Sequence, residues 1–149
     1  MDAASLSTEE HRLTSILAAW AAASVIAGGA AWAVGHKQQN PNLAGFGRQT
    51  LMWGVVDGAI AGAGMAGARK RAPFATDDQA QAHRTKLRRI LLINSAADVG
   101  YIAAGGAIMA RARQSRRILA MNAGDGAAIA LQGKFLLALD TVMAWRLRG

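Results

Sequence analysis

Apolar residues gather in four long blocks, separated by short stretches that are polar and mostly basic. Leu13 to Val34 runs for 22 residues without a charge. At about 1.5 Å per residue, a helix of that length covers a hydrocarbon core of about 30 Å. The other blocks, about 49–68, 90–110 and 127–145, are comparable. The pattern predicts an all-α integral membrane four-helix bundle forming one domain over 1–149.

Local signals punctuate these blocks. Ser7 with Glu10 three residues on reads as a capping box at the start of the first helix. Ala31-Trp32-Ala33 resembles a signal-peptidase site, but its leader is acidic and the apolar run too long for a signal peptide, so a retained span is expected. Asn40-Pro41-Asn42 marks a turn within a connector over 36–47. Thr76 with Gln79 is a second capping box, opening a third helix from Asp77 whose first turns stand outside its apolar block. For the fourth helix, Asp125 between Gly124 and Gly126 is the expected N-cap. A start near Ser115, with Asp125 inside the helix, is the alternative.

Composition sharpens the membrane reading. Apolar residues make up 52% and aromatics 5%, and mean hydropathy is only +0.16 because basic loops dilute the spans. Gly54, Gly58, Gly62, Gly64 and Gly67 crowd the second block. Each would weaken a soluble helix by up to about 1 kcal/mol relative to Ala. In a bilayer, small residues four apart let helices approach closely.

The net charge of +8 could signal nucleic acid. Its Lys and Arg flank apolar blocks, however, so no nucleic-acid partner is expected. One side of the membrane would hold ten of these charges: Arg12, Arg69, Lys70, Arg71, Arg84, Lys86, Arg88, Arg89, Arg146 and Arg148. The other would hold six: Lys37, Arg48, Arg111, Arg113, Arg116 and Arg117. The positive-inside bias then puts both termini and the connector 69–89 on the cytoplasmic side of an inner (plasma) membrane. Arg69, Lys70, Arg71, Arg84, Lys86, Arg88 and Arg89 would lie against anionic headgroups, each worth about 1 kcal/mol.

The candidate chemistry lies in polar residues inside the apolar blocks: Asp57, Asp98, Lys134 and Asp140, with Gln49, Asn94, Tyr101 and Gln132. An ionisable residue near a helix centre costs about 2.5–3.5 kcal/mol on insertion scales, so such groups face a bundle interior and mark functional sites. At about 100° per residue, Asp98, Asn94, Tyr101 and Gly105 share a face, as do Asp57, Trp53, Thr50 and Gly54. Asp140 goes with Leu136 and Gly133, with Lys134 about 120° away. Asp57 is 12 residues before Arg69, Asp98 nine after Arg89, and Lys134 12 before Arg146. All three are expected near the midplane, with Lys134 paired to Asp57 or Asp98 and not to Asp140.

An internal repeat offers a different depth for Asp57. At an offset of 77, Ala27-Gly28-Gly29-Ala30 meets Ala104-Gly105-Gly106-Ala107; at 83, Gln49…Asp57 meets Gln132…Asp140. Two tandem helical hairpins would follow, with Asp57 level with Asp140.

Other chemistries are set aside. There is no Cys; His11, His36 and His83 lie outside the blocks, and no cluster has metal-ligand spacing. No metal, cofactor or enzymatic activity is expected.

Three motifs resemble a family of small, uncharacterised, four-span bacterial membrane proteins: Gln49-x3-Trp53-Gly54-x2-Asp57, Asn94-x3-Asp98-x2-Tyr101 and Gln132-Gly133-x-Phe135-Leu136-Leu137-x2-Asp140. The resemblance covers roughly residues 45 to 145, implies four spans and supplies no activity. Small multidrug transporters are also four-span proteins, but carry their acid in the first span, which here has no ionisable residue.

The expected function is a membrane scaffold or accessory subunit that uses the interior polar residues for packing; the alternative is a proton- or small-solute-linked transporter or channel using Asp57, Asp98, Lys134 and Asp140. In either case a homo-oligomer or a larger membrane complex is expected.

Overall fold

The computed structural model describes residues 2–74, 76–114 and 120–148. They form four helices: α1 (Ala3–Lys37), α2 (Pro41–Lys70), α3 (Asp77–Arg113) and α4 (Ala123–Arg146). All four are long and apolar enough to cross a membrane.

Helix ends follow local chemistry, at several places earlier than the apolar blocks suggest. Asp2 caps α1 by accepting from the Ser5 N–H, so Ser7 and Glu10 lie within the helix and form no capping box. The expected connector 36–47 shrinks to Gln38, Gln39 and Asn40. Pro41 occupies the first helical turn of α2, where its fixed φ suits a helix and its missing N–H costs nothing. Asn40 caps that turn through the Leu43 N–H, 3.1 Å away, and Gln39 takes a left-handed φ of 52°. Thr76 caps α3 through the Gln79 N–H, as expected.

Asp125 is not the N-cap of α4. Asn122 is, and Asp125 reaches back to its N–H at 2.9 Å in a capping box. The alternative start near Ser115, and Arg116 and Arg117, lie outside the described residues.

Side-chain pairs fix an up-down-up-down course. Glu9 near the start of α1 meets Arg146 at the end of α4, while Glu10 meets Arg71 after α2 and His83 early in α3. The start of α1, the end of α4, Arg71 after α2 and the start of α3 therefore share one end of the bundle. At the far end, Arg48 of α2 meets Asp125 of α4.

α1 packs along α2 and α3 along α4, while α2 against α4 joins the two hairpins. Both hairpin seams use the same crossing. A Cβ on Gly28 would lie 2.5 Å from Leu51 N, and one on Gly105 2.7 Å from Ala130 N. Gly47 opposes the Gly28 carbonyl as Gly126 opposes that of Gly105. Gly54 fits against Ala21 and Val25, and Gly133 against Asp98 and Ile102.

The first helices thus correspond at an offset of 77 (28 with 105, 21 with 98, 25 with 102). The second helices correspond at 79 (47 with 126, 51 with 130, 54 with 133). Two hairpins are present, but the expected offset of 83 is incorrect: backbone contact sets the register, and the shared Gln–Asp spacing does not reflect it. The glycine stripe of α2 is also only partly used, since Gly54 touches backbone while Gly62 and Gly67 face open space.

Candidate functional site

Hydrophobicity is distributed inside out. Ile26, Met52, Val55, Ile60, Ile93 and Val99 are exposed, whereas Asp57, Asp98 and Asp140 keep only 1%, 2% and 7% of their surface. A large apolar exterior marks contact with an apolar medium or partner.

Asp57 sits where α2 crosses α4 and accepts a hydrogen bond from the Gln132 amide nitrogen. On its other side, Gln132 Oε1 accepts from the Trp20 indole N–H at 2.9 Å. Indole only donates, so it fixes which end of the amide faces Asp57. Trp20 also stacks on Phe135 at 3.9 Å, holding α1 to α4. Asp98 faces α4 where Gly133 admits the α3 backbone; its Oδ2 is buried and has no hydrogen-bond partner among the described residues. Thr50 Oγ1 is a second orphan.

Asp140 lies nearer the connector end, beside Asn94, on a cavity of about 220 Å³. Leu13, Leu17, Ile60 and Leu91 make the cavity walls apolar, and Glu10 stands at its outer edge. Asp98 is close enough to Asp57 and to Asp140 for their charges to interact. The three carboxyls form one cluster between the hairpins.

Lys134 departs from expectation. It is exposed, with no ion pair or hydrogen bond to a described residue, and pairs with neither Asp57 nor Asp98. Lys134 lies at the level of Asp57 and Asp98, and azimuth decides its surroundings: Gln132 turns to α2 and Gly133 to α3, so the next position points outward. Asp57, which bonds Gln132, and Asp98, beside Gly133, do share one level. Asp57 is not level with Asp140, against the depth that the repeat offered. Tyr101 is 38% exposed and meets Trp53 edge-on at 5.1 Å, bridging α3 and α2. Gln49 is half-buried and joins none of these groups.

Ion pairs that no single stretch of sequence reveals close both ends of the bundle. At the connector end, Arg146 donates twice to Glu9, both at 2.7 Å. Arg71 and His83 converge on Glu10, with Phe74 under the guanidinium at 4.8 Å. Arg71, expected at the headgroups, is engaged within the bundle by Glu10. Arg88 donates to the Ala144 carbonyl at 3.3 Å, while Arg69, Lys70, Lys86 and Arg89 are exposed and Arg84 is half-buried. At the far end the Asp125 side chain, 0% exposed, accepts from Arg48 at 2.7 Å. The available clue was the acidic pair Glu9-Glu10 before the first apolar block, where the flanks of the other blocks are mostly basic.

Burial alone would raise the Glu10 carboxyl, but hydrogen bonds from Arg71 and His83 outweigh it and hold the group below the ordinary 4.5. A depressed acid contributes stability above its unfolded value and loses it as pH falls through the folded one. The melting temperature in detergent should therefore drop between about pH 5 and pH 3 by more in the wild type than in Glu10→Gln. Equal drops would mean that the Arg71 pair carries no stability.

Four amphiphile-like helices enclosing an acidic cluster define a small all-α bundle with a polar interior and an apolar coat. The chain belongs to the DUF6992 family, a family of unknown function, which matches residues 16–141. No curated protein and no solved structure matches it.

Proposed function

We propose that this is a four-span membrane protein whose interior carboxyls, Asp57, Asp98 and Asp140, exchange protons or a small cation as part of a transport step. The observation that carries this reading is the acid cluster itself. Three buried carboxyls lie within range of one another's charge, the buried Asp98 Oδ2 has no partner among the described residues, and no described Lys, Arg or His pairs with any of them. Charge balance in such a site comes from protons or a bound cation. Packing alone would be served as well by apolar residues of similar volume. The cavity between Glu10 and Asp140 gives the cluster an approach from the connector end.

The test is proton flux into liposomes holding the purified protein and a pH-sensitive dye, driven by a potassium diffusion potential. Wild type should exceed empty liposomes, while Asp98→Asn and Asp140→Asn, folded and inserted, should fall to the empty-liposome rate. The transport reading fails if wild type carries no flux, or if both variants carry it undiminished. A membrane scaffold or accessory subunit is the second reading, and the outward Lys134 favours it.

A further inference from the structure

Lys134 stands 11 residues after Ala123 and 12 before Arg146, the midpoint of α4. At about 1.5 Å per residue, either helix end is roughly 17 Å away. A lysine stem does not stretch that far, so snorkelling leaves the ammonium in hydrocarbon. It shares its outer face with Leu131, Ala138, Thr141, Val142 and Trp145, all exposed; the Thr141 hydroxyl is two turns away, and no carboxylate lies among them.

We infer that this face of α4 is an interaction surface for a membrane-spanning helix of a different protein, one that carries a carboxylate at mid-depth and pairs it with Lys134. Charge complementarity selects the partner. A second copy cannot supply the acid, because Asp57, Asp98 and Asp140 are buried within their own bundle. A two-fold dimer through this face would bring lysine toward lysine. Ala138, one turn from Lys134, lets an incoming backbone approach closely, as small residues do between membrane helices. The inference rests on membrane placement of the chain and is independent of the acid cluster.

The experiment uses the full chain with a split-enzyme reporter at its C-terminus. The probe is a single-span polyleucine helix with one central Asp, carrying the other half of the reporter. Expected is a signal on the order of fivefold to tenfold above that with an all-leucine helix. Lys134→Met should abolish the difference and Lys134→Arg should keep it. Equal signals from the Asp and Leu probes with the wild-type chain would overturn the proposal, even if a variant folds poorly. Retention of the difference by Lys134→Met would also overturn it, as would self-association that depends on Lys134. Alkaline carbonate extraction separates the two failures: release of the chain from membranes refutes the membrane reading, whereas an inserted chain that ignores the Asp probe refutes only the partner.

Discussion

Gly47→Val is expected to abolish folded protein in detergent extracts, while Gly62→Ala leaves it unchanged. A Cβ at residue 47 would lie 2.2 Å from Trp32 N and 2.6 Å from the Gly28 carbonyl oxygen, both backbone atoms of α1. No rotamer change relieves a backbone clash, so α1 and α2 must separate. Separation also loosens the crossings at Gly28 and Gly54, which share the seam. Overpacking typically costs about 1–3 kcal/mol, and a displaced helix pair belongs at or above the top of that range. Residue 62 has nothing within 4 Å and serves as the internal control. The measurement is monodisperse yield by size-exclusion chromatography. Equal yields from the two variants would show that the hairpin seam tolerates a wider spacing.

The second large effect concerns Gln132→Leu. Gln132 bridges two otherwise separate groups, accepting from the Trp20 indole and donating to the Asp57 carboxyl. Leucine fills similar volume but leaves a buried donor and a buried acid without a partner. Each orphan costs about 1–3 kcal/mol, so a loss of roughly 2–5 kcal/mol is expected in chemical unfolding. Asp57→Leu in the same chain removes one orphan and should recover part of that loss, giving a double variant less damaged than the sum of the singles. Strict additivity would mean that the Gln132–Asp57 contact contributes nothing to stability.

Depth was legible in the sequence and azimuth was not. Counting from Arg69 and Arg89 put Asp57 and Asp98 at one level, and the bundle has them there, beside Gln132 and Gly133. The same counting set Lys134 at the right height yet assigned it to the interior. α4 packs against α2, α3 and, through Phe135 and Trp20, α1, so no single polar face could be read from its pattern. Helix starts failed where a cap lay a few residues upstream of the apolar block, as with Asp2, Asn40 and Asn122. The Glu10–Arg71, Glu9–Arg146 and Arg48–Asp125 pairs join residues 61, 137 and 77 positions apart. Neither periodicity nor capping chemistry carries information over such distances. Glycine content, by contrast, announced close helix contact, though Gly47, assigned to a loop, sits against backbone more tightly than any glycine of the expected second span.

The matched crossings of the two hairpins have a consequence for parity. A unit of two helices returns to the end it started from, so a second copy joined in tandem runs in the same sense as the first. Neither half need be inverted, and one chain can carry both in a single orientation. Equivalence of backbone does not oblige equivalence of charge, and here it ends at the side chains. Asp98 occupies the place that Ala21 holds in the other half, Asp140 that of Ala61, and Asp57 that of Leu136. Every interior acid is therefore a departure from the shared template, leaving the bundle even-handed in its skeleton and lopsided in its polarity.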